Sequence, residues 1–251
     1  MSAPRLPLRA LPLVLALVDA ACAARTPPPA RTAAKEVAAP AASASASAES
    51  SAGPSWERIR EEDGIVVDRR EVPGSPLIAF RGEGLVFAPL ARVAAVLVDV
   101  ARSPEWVDGV VEARVLRRLG PTEAITYAHV KTPPVLSDRD FVLRGTLTLA
   151  PQRVVIAVRS VTDEAMPPGR YVRGEVLDSS FVLTTEADGA TRVVAEIHAD
   201  PKGALPKWLV NAFQRRWAVK TIRGLRAQVK KPDVSEPAWL VTRLSEATSP
   251  P

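Results

Sequence analysis

Few residues of this chain could perform acid–base chemistry. The 251-residue sequence contains two histidines, His129 and His198, and one cysteine, Cys22. Tyr127 and His129 lie two residues apart in a β-type segment, so both side chains are expected on one face of a strand, where such a pair can transfer protons. A buried histidine in a hydrogen-bonded structural role is the more common arrangement. We therefore predict no catalytic residue, and keep Tyr127 with His129 as the one candidate pair for an enzyme.

The remaining polar residues do not indicate a metal or phosphate site. Asp138 and Asp140 flank Arg139 at the start of a strand, without the spacing of a metal-ligand set. They are expected to pair with arginines or to cap turns. The Gly82-Glu-Gly84 run lacks the helix that completes a phosphate-binding loop. We expect neither a metal nor a cofactor.

The first 54 residues are not expected to fold. Residues 1–23 have the pattern of an export signal, with arginines, a short apolar run over residues 11–18, and small residues after it. Residues 24–54 are mainly Ala, Pro and Ser, which is typical of a disordered linker. Cys22 has two interpretations, a lipidation site as in a bacterial lipoprotein or part of an ordinary cleavage site. Either one predicts export from the bacterial cytoplasm, to the periplasm or to a lipid anchor in the cell envelope.

One folded domain is predicted over residues 55–231, followed by a partly ordered tail, 232–251. A helix is predicted over residues 89–100, and a long basic helix over residues 205–230. The β-type segments are joined mostly by loops too short for parallel crossovers, so the sheet should be antiparallel. About nine strands are predicted: 64–72, 77–87, 111–119, 123–131, 140–149, 153–161, 171–177, 179–186 and 191–199. The fold class is therefore α+β.

Several segments, taken in order over residues 56–228, resemble the StAR-related lipid-transfer (START) family. The most specific are Ser137-Asp-Arg-Asp-Phe-Val142, Val172-Arg-Gly174 and Asp200-Pro-Lys-Gly-Ala-Leu-Pro-Lys-Trp-Leu-Val-Asn211. Trp56, Val72-Pro-Gly-Ser75 and Trp106 also fit. The resemblance implies a helix-grip fold, in which a curved antiparallel sheet wraps around the C-terminal helix. It also implies an internal cavity for a lipid or another hydrophobic small molecule.

The resemblance further suggests which residues contact and enclose that ligand. The loop 162–170 and the start of the terminal helix are expected to form a gate, with Thr162, Pro167, Pro168 and Leu205 as its residues. The residues expected to contact the ligand are Trp106, Tyr127, His129, Phe141, Met166, Leu209 and Phe213.

The sequence departs from the family pattern at one cavity position. Many members have an arginine six residues after the arginine of the Arg-Asp-Phe motif, where this chain has Gly145. The neighbouring Arg144 faces outward if Phe141 and Leu143 face inward, because side chains alternate along a strand. We therefore expect a neutral or weakly polar ligand.

The terminal helix is strongly basic. Nine basic and no acidic residues lie between Pro201 and Pro232. The net charge of +5 is too small to indicate a nucleic-acid-binding protein, and no array of aromatic residues lines the helix for base stacking. The basic face is either simply solvated or contacts anionic lipid. For the second case the expected membrane-facing residues are Arg215, Arg216, Lys220 and Arg223.

Three functions follow from these observations. The leading hypothesis is a monomeric, non-catalytic domain that either only binds a lipid or hydrophobic small molecule or binds and transfers it. The alternative is a cyclase or aromatase-type enzyme that uses Tyr127 and His129 in the same cavity. The third is a tightly packed domain that binds a partner protein through an exposed apolar patch.

Overall fold

A ten-stranded sheet and three α-helices make up the part of the chain that the computed structural model describes, residues 55–133 and 136–248. The strands are β1 (Glu57–Glu62), β2 (Ile65–Glu71), β3 (Ile78–Val86), β4 (Val110–Gly120), β5 (Glu123–Val130), β6 (Arg139–Ala150), β7 (Arg153–Ser160), β8 (Val172–Arg173), β9 (Glu175–Thr185) and β10 (Thr191–Asp200). The helices are α1 (Leu90–Val98), α2 (Lys207–Gln228) and α3 (Ala238–Thr248), and a 3₁₀ helix spans Val100–Glu105. None of these helices has the length and apolar character needed to cross a membrane. The predicted export signal and linker, with Cys22, lie outside the described residues.

The sheet is antiparallel except for one short pairing. Its strand order is β1-β2-β3-β10-β9-β7-β6-β5-β4, and β8 pairs in parallel with the start of β6. The predicted α+β fold, an antiparallel sheet with a long helix near the C-terminus, is confirmed. The strand that the sequence analysis missed is β1. The two strands predicted over residues 171–177 and 179–186 are divided elsewhere, because the break lies at Gly174, between β8 and β9, and not at Asp178.

Helix α2 packs directly on the backbone of β3. A Cβ atom on Gly82 would lie 2.8 Å from the carbonyl oxygen of Ala218, and one on Gly84 would lie 3.3 Å from Cγ2 of Ile222. Neither glycine forms a bulge, because the pairing of β3 with β2 and β10 is regular there. The two glycines therefore allow the helix to approach closely. We call the sheet face under α2 the helix face and the opposite one the outer face.

The main core lies between the helix face and the helices. Strand β2 contributes Ile65 and Val67, which alternate with residues of the outer face, and α2 contributes Ile222 and Leu225; all four are fully buried. Such period-2 and helical patterns place apolar side chains on one side of each element. The core therefore holds α2 over the half of the sheet formed by β2, β3 and β10.

The segment after α2 is more ordered than predicted. Its helix α3 packs against α1 and β6, and Leu240 is fully buried in the main core together with Val234. Arg92 of α1 caps the end of α2 by donating hydrogen bonds to the carbonyl oxygens of Val229, Lys231 and Val234 at 2.6, 2.8 and 3.0 Å. Residues up to Thr248 thus contribute to the fold.

A second close contact joins α2 to the segment before β4. The carbonyl oxygen of Trp106 lies so near Gly224 that an added Cβ would require the backbone to move. We predict that Gly224→Ala lowers the free energy of unfolding by about 1–3 kcal/mol through overpacking. In an unobstructed helix the same change would raise the free energy of unfolding by about 1 kcal/mol. The sign of the change therefore shows whether the contact between Trp106 and Gly224 is present.

Urea unfolding measures this change, with Gly120→Ala as the control. No described atom lies within 4 Å of the position that a Cβ on Gly120 would occupy. A Gly224→Ala protein at least as stable as the wild type would contradict the close contact.

His198 connects β10 to the turn between β2 and β3. Its Nε2 atom lies 3.0 Å from the hydroxyl oxygen of Ser75, and the side chain is buried. Burial lowers the pKa of His198, against the opposing effect of the Asp178 charge. The folded protein therefore binds a proton at this site less readily than the unfolded chain does.

We predict that this histidine makes stability depend on pH. An unfolded histidine has a pKa of about 6.5. The contribution of neutral His198 to the free energy of unfolding is therefore complete above that pH. It declines as the pH falls from about 6.5 through the lower pKa of the folded state. Unfolding free energies measured across this range should fall more steeply for the wild type than for His198→Gln. Equal slopes would show that His198 does not cause the decline.

Candidate functional site

The register of the sheet assigns each side chain to a face, because directly paired residues of neighbouring strands point to the same side. Gly82 pairs with Ala195, Ala195 with Phe181, and Phe181 with Ile156. All of these therefore belong to the helix face. Continuing through β6, β5 and β4 assigns to the same face Val115, Thr126, Ala128, Phe141, Leu143, Gly145 and Val158.

One part of the sheet buries its outer face instead of its helix face. In β3 and β10 the helix-face residues Val86 and Val193 are fully buried. In β5 the buried residues are Ile125 and Tyr127, on the outer face, while Thr126 between them is only half-buried. The helix face of β5 and of the first half of β6 therefore carries side chains that the protein itself covers only in part, whereas Leu147, later in β6, is buried on the helix face.

We call this surface, with the adjacent side of α2, the groove. Leu209, Phe213 and Trp217 follow one another at four-residue spacing, so they lie in a row on one side of the helix. The ring of Trp217 lies 6.0 Å from that of Phe181. Phe213 remains 39% exposed. The resemblance implies an enclosed internal cavity, whereas the described residues form this partly exposed apolar surface, which is the candidate binding site.

The segment before β4 bounds the groove on the side away from β3. Asp108 forms an ion pair with Lys220 of α2 at 2.7 Å, and the carbonyl of Trp106 contacts Gly224. The indole Nε1 of Trp106 is buried and has no hydrogen-bond partner among the described residues. The Trp106 side chain itself packs against the main core.

The amino-terminal end of α2 meets the start of β6. The guanidinium group of Arg139 donates to the carbonyl oxygens of Pro201 and Lys202, each at 3.3 Å. Burial lowers the pKa of Arg139. Leu205, a predicted gate residue, is half-buried in this segment.

The structure brings together three of the predicted contact residues, since Phe141, Leu209 and Phe213 lie on the groove side of their elements, whereas Trp106 packs against the main core. Sequence reasoning missed Val158, Phe181 and Trp217. The position of Trp217, four residues after Phe213, was a usable signal. The two strand residues can be identified only once the register is known.

Tyr127 and His129 do not face the groove, which corrects the expected orientation. Tyr127 pairs with Val142, whereas Phe141 pairs with Ala128. Tyr127 and Phe141 therefore point to opposite faces. Tyr127 belongs instead to a small outer-face cluster with Ile125 and Val142.

The 162–170 loop also belongs to the outer face, contrary to its predicted place at the gate. Met166 packs on the outer-face cluster, and Asp163 accepts a hydrogen bond from Arg117 at 2.8 Å. Arg173 donates to the carbonyl oxygens of Met166 and Pro167 at 3.2 and 3.3 Å. Together with Thr162 and Pro168, which are exposed, these residues lie across the sheet from the groove.

His129 is engaged by structural partners on that outer face. Its Nε2 lies 3.0 Å from Oδ2 of Asp138, and its ring stacks on Tyr171 with centroids 4.1 Å apart. The backbone N–H of Thr132, followed by His129, lowers the pKa of Asp138, which keeps this carboxylate ionised. These contacts hold the start of β6 and direct no acid or base into the groove.

Tyr127 is likewise held by its neighbours. Burial raises the pKa of its hydroxyl, as does the charge of Asp140, while Arg114, 4.4 Å above the ring, acts in the opposite direction. Arg144 faces outward as predicted and pairs there with Glu123. Within the described residues, no group of three or more His, Cys, Asp or Glu side chains is placed to hold a metal ion.

The basic residues of α2 fall into two groups. Lys220 pairs with Asp108, and Arg223 pairs with Glu62 at 2.7 Å and with Asp63. Arg215 and Arg216 are exposed and have no ion-pair partner among the described residues. Trp208, in the first turn, is 71% exposed. The unpaired charges thus lie in the half of the helix that also carries this tryptophan.

Comparisons with known proteins agree with this architecture. The START domain family model matches residues 36–234. An uncharacterized protein of Pseudomonas aeruginosa is 28% identical over 177 residues, which cover 70% of this chain and 87% of that protein. A STAR-related lipid transfer protein fragment from Xanthomonas axonopodis is 29% identical, with a TM-score of 0.63 over 70% of this chain and 99% of that one. Human STARD10 has the same fold, with a TM-score of 0.67 over 75% and 81% of the two chains at 22% identity.

Proposed function

The chain belongs to the START domain family, and from this premise we propose that it binds a lipid or another hydrophobic small molecule in the groove. The observation that supports this proposal most directly is the inverted burial of β5 and of the first half of β6. Their outer-face residues Ile125 and Val142 are buried, whereas Leu143 on the helix face is only half-buried. An unliganded apolar surface of this kind is stabilised when a hydrophobic guest covers it.

The hydrophobic effect is large enough to hold such a guest. Burial contributes about 25 cal/mol for each Å² of apolar surface removed from water. Phe181, Phe213 and Trp217 add flat aromatic surface, which packs well against hydrocarbon. Binding therefore needs few polar contacts, in agreement with the scarcity of charged side chains along the groove.

We predict that filling the groove prevents ligand capture. Gly145 faces the groove, and no described atom lies within 4 Å of the position of a Cβ there. Gly145→Phe should fold and occupy ligand space, whereas Gly120→Phe adds the same group at another open site, the last residue of β4. Mass spectrometry of denatured, freshly purified proteins should detect a co-purified apolar molecule in the wild type and Gly120→Phe, and much less in Gly145→Phe.

This experiment also tests the proposed function as a whole. Three folded proteins that all lack a co-purified molecule, and that bind no added lipid, would refute the proposed function. Equal amounts of ligand in all three would place the binding site elsewhere.

We also propose that the amino-terminal half of α2 contacts anionic membranes during lipid exchange. Trp208 projects into solvent beside Arg215 and Arg216, and an exposed tryptophan next to unpaired cations favours a membrane interface. Each cation near an anionic surface contributes about 1 kcal/mol. The proposal leaves out Lys220 and Arg223, because both are engaged in ion pairs.

Co-sedimentation with vesicles that contain anionic phospholipid tests this surface. The double variant Arg215→Gln/Arg216→Gln should bind at least about tenfold more weakly than the wild type, since two contributions of about 1 kcal/mol are lost. Lys220→Gln is the matched control and should bind nearly as the wild type does. Equal binding by all three proteins, or binding that does not weaken with added salt, would exclude this contact.

The cyclase alternative has no observation in its favour. Its acid–base pair, Tyr127 and His129, lies on the outer face and is engaged by Arg114, Asp138 and Tyr171. Export to the periplasm or cell envelope, as a monomer and with or without a lipid on Cys22, remains part of the proposal. The intact mass of the native protein would identify its amino terminus and any lipid there.

A further inference from the structure

An unpaired arginine lies on the helix face at one end of the groove. Arg118 of β4 pairs with Ala124, Ala124 with Gly145, and Gly145 with Val158. Its neighbour Arg117 reaches the outer face, where it bonds to Asp163. Arg118 therefore points to the opposite side, in the same cross-strand row as Gly145.

Arg118 is the one available charge on this surface. Among the described helix-face residues of β4–β7 only Arg118 and Arg139 are charged, and Arg139 is buried and bonded to backbone carbonyl oxygens. Arg118 is exposed and has no hydrogen-bond or ion-pair partner among the described residues. No carboxylate of this surface competes for it, because the nearby Glu123 lies on the outer face and pairs with Arg144.

The row beside Arg118 has room for a ligand group. Gly145 has no described atom within 4 Å of the position of a Cβ, and Ala124 is small and half-buried. The planar guanidinium group offers two parallel N–H donors, which match a carboxylate or a phosphate. A charge at the end of an otherwise apolar surface suits an amphiphile rather than a wholly neutral guest.

We infer that Arg118 binds the oxyanion, a carboxylate or phosphate, of an amphiphilic ligand whose hydrocarbon chain occupies the groove. The inference rests on the proposed function and specifies its ligand class. It replaces the expectation of a neutral ligand, which followed from Gly145 alone. Many family members have an arginine at position 145 of β6. In this chain Arg118 of β4, two strands away in the same cross-strand row, provides the positive charge instead.

Paired ligands that differ only in charge test this assignment. Hexadecanoate and its methyl ester, and hexadecyl phosphate and hexadecanol, would be titrated below their micelle-forming concentrations at alkaline pH, with tryptophan fluorescence as the readout. The proteins are the wild type, Arg118→Gln and the control Arg159→Gln. Arg159 is also exposed and unpaired among the described residues, but it pairs in register with Arg144 and so lies on the outer face.

In the wild type and Arg159→Gln, at least one anionic ligand should bind about tenfold or more tightly than its neutral counterpart, as a charge-assisted hydrogen bond provides. Arg118→Gln should lose this preference and keep the affinity for the neutral partner. The pair that shows the preference identifies the oxyanion as carboxylate or phosphate. Equal affinities within both pairs, or a preference that survives in Arg118→Gln, would overturn the role of Arg118 but not the proposed function. Absence of binding by all four compounds would overturn both.

Discussion

The close approach of α2 to β3 is the constraint on which the rest of the structure depends. Because Gly82 and Gly84 lack side chains, the helix rests on the backbone of β3 and lies over β2, β3 and β10. It therefore lies to one side of the sheet and does not cover β4–β6. The segment before β4 returns to the helix at Gly224 and Lys220. The groove is a consequence of this off-centre helix and of the return of the chain to it.

The outer-face cluster stabilises the strands whose helix face α2 does not cover. Strands exposed on both faces would gain little hydrophobic stabilisation, since this depends on apolar area removed from water. Here Met166 and Val161 cover Ile125, Tyr127 and Val142 on the outer face. The loop after β7 thus supplies the burial that α2 does not provide. This explains how β5 and β6 remain ordered beside an open apolar surface.

The sequence was sufficient to predict the fold class and the shared side of α2 on which Leu209 and Phe213 lie. Turn residues delimit most strands, and the helical spacing of Leu209 and Phe213 places them on one side of the helix. Alternation in β5 correctly groups Tyr127 with His129, but it does not say which face the pair occupies, because both faces of this strand carry apolar residues. That choice depends on pairing between distant strands. The same limit explains why the 162–170 loop was predicted on the wrong side, since its length predicts an excursion but not its direction.

Helix α2 is anchored unevenly along its length. Its carboxyl half is fixed by Arg92 at the cap, by Arg226, which donates to the carbonyl oxygens of Leu85 and Asp63, each at 2.8 Å, and by the bond from Gln228 to Glu105 at 2.9 Å. The described side-chain bonds of the amino half are fewer. They include those in which the N–H of Ile78 donates to Oδ1 of Asn211 and the N–H of Ala199 donates to Oε1 of Gln214. The amino half of the helix is therefore held at fewer points than the carboxyl half. Local opening of α2 should begin at its first turns and leave the packing around Gly224 intact.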